Sequence, residues 1–109
     1  MLERDFQRKL KKELKCRYPG CIVQKADAGQ IQGIPDLLIL YNDKWAALEV
    51  KASAKATHRP NQDIRVDRMN KMSFSAFIFP ENKEEVLHEL DGHFARSVSP
   101  ESAELAELH

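Results

Sequence analysis

Cysteine is scarce in this chain. Cys16 and Cys21 are its only two, and the pair makes neither a disulfide framework nor a closed zinc site. Both read as reduced, structural residues. Histidine is thin as well: His58, His88, His93 and His109 form no His-x-x-x-His or His-x-Glu pairing, which argues against zinc. Only His58, placed after the central apolar runs, is positioned for a supporting role near a substrate. Glycine numbers four and proline five, too few for a disordered chain. Gly29 and Gly33 are not followed by Gly-Lys-Ser/Thr, so there is no phosphate loop of the nucleotide-binding kind. No apolar run approaches the roughly 20 residues that span a bilayer. The stretch from Met1 to Lys15 is charged throughout and lacks the apolar middle of a secretion signal. A cytoplasmic protein is expected.

The 109 residues, 42% hydrophobic and 31% charged, suit one soluble domain whose core is small enough that a second copy would help stabilise it. Net charge is zero, which at first argues against nucleic acid, but the charges are not evenly spread. Residues 1–25 carry eight basic side chains against three acidic ones, and residues 80–109 carry two against eight. A basic front can attract phosphates while an acidic end lies elsewhere.

Leu2, Phe6, Leu10 and Leu14 recur every four residues with Lys and Arg between them. This spacing predicts an amphipathic helix over 2–17 with a basic polar face, ended by Tyr18-Pro19-Gly20. Cys21 to Val23 reads as a short strand and 26–33 as a loop. Leu37–Tyr41 and Trp45–Val50 are apolar at successive positions, as expected of strands covered on both faces. Asn42-Asp43 between them has the chemistry of a tight hairpin turn. A polar loop over 52–59 follows. Pro60 then opens a helix to Met72 with Ile64, Val66, Met69 and Met72 available for its inner face. Phe74–Phe79 is a further strand, Lys83–Leu90 a short acidic helix, and 97–109 a tail with a weak helical pattern. The predicted fold is α/β, a mixed central sheet flanked by helices in the order α-β-β-β-α-β-α, with the domain spanning 1–96.

A two-residue turn at Asn42-Asp43 pairs Tyr41 with Lys44, and the same count brings Asp36 opposite Glu49. Such neighbours have Cβ atoms roughly 4.5–5.5 Å apart on one face, and Lys51, two residues on, shares that face. Two carboxylates and an ammonium therefore converge at the mouth of an apolar hairpin. Like charges in this position repel, and burial raises the cost unless a proton or a cation lies between them. A divalent metal with oxygen ligands resolves the conflict, and Mg²⁺ suits one or two carboxylates plus a substrate phosphate.

Gly33-Ile34-Pro35-Asp36-Leu37-Leu38, then twelve residues, then Glu49-Val50-Lys51 resembles the signature of the PD-(D/E)xK nuclease superfamily. The short layout is similar to the VRR-NUC family and to the archaeal-type Holliday junction resolvases, and the resemblance covers about residues 1–80. It implies a restriction-endonuclease-like fold and Mg²⁺-dependent hydrolysis of DNA, with Mn²⁺ able to substitute. Asp36, Glu49, the Val50 backbone carbonyl and an acid on the opening helix would hold metal. Glu3 is chosen for that acid, with Asp5 and Glu13 as competitors. Lys51 would assist the attacking water, and Gln62 matches the glutamine that such enzymes keep beside the site. Lys51-Ala52-Ser53 departs from the family in lacking a Gly or Pro just after the motif.

Arg4, Arg8, Lys11 and Lys15 step along the first helix, and Lys55, Arg59, Arg65 and Arg68 surround the second. Several of these should touch phosphates, giving salt-dependent, weakly sequence-selective binding. The resemblance further implies a homodimer cutting a Holliday junction or other branched DNA in repair or recombination, in a bacterial or phage setting. A nuclease for flaps or linear ends, and a non-catalytic DNA-binding module on the same fold, stay open beside it.

Overall fold

The computed structural model describes residues 2–27 and 31–95; the expected tail over 97–109 and the boundary at 96 lie outside them. The elements run α1 (Glu3–Arg17), β1 (Ile22–Lys25), β2 (Leu37–Tyr41), β3 (Lys44–Val50), α2 (Gln62–Met72), β4 (Ser75–Ile78) and α3 (Lys83–Ala95). This is the α-β-β-β-α-β-α order that the periodicities predict. Among the described residues no helix is long and apolar enough to cross a membrane.

The sheet order is β1-β2-β3-β4, with the first three strands an antiparallel meander and β4 added parallel to β3. A parallel neighbour requires a crossover, and α2 supplies it. The hairpin register is the expected one: Tyr41 faces Lys44 and Leu37 faces Leu48. Asn42 turns the chain with φ 56°, a backbone region that asparagine tolerates better than most residues.

Alternation divides the strands between two layers. Leu37, Ile39, Leu48, Val50 and Ile78 pack with Phe6, Leu10 and Leu14 of α1 and with Val86, Leu87, Leu90 and Phe94 of α3 in one continuous core. At the far end Tyr18 packs on Tyr41 and Phe94, and Arg17 and Tyr18 both donate to Asp91, tying α1 to α3. The opposite face takes α2, which lies against β3 and β4.

Four expectations need correction. First, α2 starts at Gln62 rather than Pro60, because Asn61 is left-handed (φ 72°) and Gln62 N–H closes a turn onto the Arg59 carbonyl. The later start sets the inner face at Gln62, Val66 and Met69, and leaves Ile64 and Met72 exposed. Second, β1 begins at Ile22 and runs to Lys25. Third, β3 is covered on both faces but β2 is not: α2 lies chiefly against β4 and β3, and Ile22 and its neighbour Leu40 are exposed. Fourth, α3 continues past Leu90 to Ala95, since burying Phe94 outweighs the cost of Gly92 inside a helix, about 1 kcal/mol relative to Ala.

Candidate active site

The α2 face of β2 and β3 ends in charge. One step beyond the Leu37–Leu48 pair the register brings Asp36 across from Glu49, and Asp36 Oδ2 accepts the Val50 N–H at 3.0 Å. The Asp36 carbonyl accepts from Ala26 N–H, so this residue is fixed from both neighbouring strands. Glu49 is 3% exposed and Lys51 5%. Their charged ends are 3.8 Å apart, too far for a direct hydrogen bond. Lys51 Nζ instead donates to Gln62 Oε1 at 2.8 Å and to the Thr57 carbonyl at 3.1 Å. An ammonium has three N–H donors, so these two bonds hold the side chain and leave one N–H for the cleft. Gln62 is itself buried, and its Oε1 also accepts from Arg59 N–H at 2.8 Å.

These groups open into a cleft of about 290 Å³ lined by Glu3, Gln32, Gly33, Ile34, Asp36, Glu49, Lys51, Arg59, Pro60 and Gln62. Six sequence-chosen residues thus meet there, drawn from the starts of α1, β2 and α2, the end of β3 and the loop before α2. Of the competing helix acids, Asp5 pairs with Arg8 at 3.4 Å and Glu13 with Lys83 at 3.2 Å. Glu13 borders a separate groove of about 360 Å³ between α1 and the start of α3, which leaves Glu3 as the helix acid that reaches the cleft. Arg4, Arg8 and Lys55 are exposed, as is Arg68 on α2, whereas Lys11 and Arg65 are half-buried; none of the six lines the cleft.

The electrostatics set the two carboxylates against each other. Burial, first, and then the hydrogen bond and charge of Asp36 push the Glu49 carboxyl up to about 8. Glu3 adds to the rise and Lys51 opposes it. Among the described residues buried Glu49 Oε1 has no hydrogen-bond partner, which costs on the order of 1–3 kcal/mol. Among the described residues no three His, Cys, Asp or Glu side chains are arranged as a complete metal cage. A small divalent cation does not need one: Mg²⁺ keeps several waters and binds one or two carboxylates with substrate phosphate. The orphaned Glu49 oxygen beside Asp36 fits that donor set. Glu3 at the exposed rim lines the same cleft, whereas Val50, fully buried, is not among its lining residues.

Sequence reasoning missed the wall formed by Gln32, Gly33 and Ile34, and the backbone groups of Thr57 and Arg59 that hold Lys51 and Gln62. Gly33 was the available signal. It sits at φ 81°, and a Cβ there would meet the Asn61 carbonyl oxygen at 2.8 Å. The loop can therefore close against the start of α2 only with glycine at this position. Gly33→Ala is expected to destabilise the protein by about 1–3 kcal/mol and to open the cleft wall. Thermal unfolding checks the first effect, and a chemical-shift change at Asn61 and Gln62 checks the second.

Comparison of the chain with protein-family models, with curated proteins and with solved structures returned no match.

Proposed function

We propose that this protein is a divalent-metal-dependent phosphodiesterase acting on DNA, of PD-(D/E)xK type. The observation that carries the reading is buried Glu49, with its unsatisfied oxygen, set against half-buried Asp36 and beside a lysine already held by two acceptors. An ordinary strand end has no reason to bury such a set.

Asp36 and Glu49, with Glu3 and the Val50 carbonyl, are the groups that would hold Mg²⁺ or Mn²⁺. The cation, when bound, supplies Lewis-acid stabilisation of the phosphate and lowers the pKa of water. The remaining N–H of Lys51 faces the reacting phosphate or water, where a preorganised donor in a dry site is most effective. Gln62 holds that lysine and is itself held by Arg59 N–H, so the donor is aimed before substrate arrives. Water attacks phosphorus and sheds a proton to solvent, the bond to the leaving sugar oxygen breaks, and that oxygen takes up a proton from solvent. Arg59 at the cleft and the basic ridge of α1 (Arg4, Arg8, Lys11 and Lys15) contact the flanking backbone, with Lys55, Arg65 and Arg68 on the side of α2. A homodimer with two such sites, cutting paired strands of branched DNA, is the arrangement proposed.

The test is to incubate the purified protein with labelled four-way junction, flap and linear duplex, with Mg²⁺, with Mn²⁺ and with chelator. Metal-dependent cleavage, strongest on the junction, is expected, together with a solution mass near twice 12.5 kDa. No cleavage of any substrate with either metal overturns the enzyme; cleavage of linear DNA alone overturns the branched preference; a monomeric mass overturns the dimer.

A further inference from the structure

The loop between β3 and α2 acts on the cleft through its backbone. The Thr57 carbonyl receives Lys51 Nζ, and Arg59 N–H is given to Gln62 Oε1. His58 lies between these two groups, and its ring is fixed by contacts of its own. It stacks on Phe77 with centroids 4.2 Å apart and planes 15° from parallel, and its Nδ1 lies 2.7 Å from Asp63 Oδ1. Phe77 pairs with Glu49 in the β3–β4 register, and Asp63 directly follows Gln62. The clamp therefore anchors the loop to β4, the strand paired with the one that carries the buried carboxylate, and to α2, which carries the buried amide. Upstream the loop is tied separately, by Ala54 N–H to Glu81 and by Lys55 N–H to Ser53.

We propose that His58 is a positioning residue: clamped between Phe77 and Asp63, it holds the Thr57 carbonyl and the Arg59 N–H where they aim Lys51 and Gln62 into the cleft. The inference rests on the nuclease reading for the chemistry that Lys51 performs, but not for its being positioned. The competing account treats His58–Asp63 as an ordinary surface pair. The two side chains are 35% and 71% exposed, and exposed pairs contribute little to stability. On that account their removal changes neither the lysine nor the turnover. A positioning role differs because a reacting group displaced by about 1 Å can lose about 100-fold in rate.

Two readouts on the full chain separate these accounts. In steady-state cleavage, His58→Ala is expected to lower kcat about 10- to 100-fold with KM within about twofold, the pattern of supporting residues that orient a reacting group. His58→Phe keeps the stack and is expected to recover part of the loss; Asp63→Ala loses only the polar half and falls between. In metal-free protein, the ¹⁵N–¹H ammonium resonance of Lys51 is expected to be sharp in the wild type, lost in His58→Ala and restored in His58→Phe. Melting curves confirm that each variant is folded. A kcat for His58→Ala within twofold of wild type, or an unchanged Lys51 resonance, overturns the proposal. If the wild type cleaves nothing, the nuclease reading falls, and the resonance series still decides whether His58 positions Lys51.

Discussion

Asp36→Asn is expected to lower Mg²⁺-dependent cleavage about 1,000-fold and to leave the protein folded. Asparagine has nearly the same shape, and its Oδ1 can still accept the Val50 N–H that Asp36 Oδ2 accepts at 3.0 Å. What it removes is one of the two negative charges that would neutralise a divalent cation. Losing one preorganised electrostatic partner costs on the order of 100- to 1,000-fold in rate, and a residue that also recruits the cation falls at the upper end. Glu49→Gln is expected to match it. The double variant should be no worse than either single one, because residues that act as a unit are not additive. The measurement is single-turnover cleavage at saturating Mg²⁺, with circular dichroism to confirm folding. Activity within tenfold of wild type in both single variants would show that the cut is made elsewhere.

The second large effect needs no substrate. Without a divalent cation the protein should be more stable at pH 5 than at pH 8. Burial and the neighbouring Asp36 raise the Glu49 carboxyl from 4.5 to about 8. Between those values the folded chain binds a proton that the unfolded chain does not, so stability falls as pH rises. One such group gives at most about 1.4 kcal/mol per pH unit, and across the window a loss of about 3 kcal/mol, roughly 15 °C in Tm for a domain of this size, is expected. Mg²⁺ should restore most of this at pH 8 by taking the place of the proton. Glu49→Gln should flatten the slope and melt higher than wild type at pH 8 without metal. Asp91 does not confuse the result, because its hydrogen bond from Arg17 lowers its carboxyl below 3.8; its stabilisation is present above that range and is lost only as pH falls through it. A Tm that is flat or rising from pH 5 to pH 8 in chelator would mean that Glu49 ionises without penalty.

Much of this architecture was legible because it rests on local signals. Four-residue spacing located α1, and Asn42-Asp43 fixed the hairpin register, which is what brought Asp36 opposite Glu49. The inner face of α2 was legible only in part: Val66 and Met69 turn inward as expected. It depends on Asn61 entering the left-handed region, a turn no hydrophobic period reports, so Ile64 and Met72 looked inward when they are exposed. Nor was the half-open β2, since Leu38 and Leu40 are as apolar as residues under a helix, and only the placement of α2 decides which are covered. At the site, the charged side chains could be named from the chain, but the carbonyl of Thr57 and the N–H of Arg59 could not. Every residue has those groups, and only the folded loop selects which of them matter. Glu3 was separated from Glu13 by tertiary pairing, because Glu13 is taken by Lys83, 70 residues away.

The register of β3 has a consequence for misfolding. Side chains alternate across a strand, so a slip of one residue in the β2–β3 pairing exchanges the faces. Glu49 would then enter the apolar layer beneath α1 and α3, and Leu48 would stand in the cleft. A carboxylate forced into such a layer has no cation or water to meet it there, and an unpaired buried charge is among the most costly arrangements available to a protein. The mouth charges that cost the folded protein stability thus make its misaligned competitors far less stable still. They act as an address label, admitting one alignment of the hairpin and rejecting its nearest neighbours before any substrate is bound.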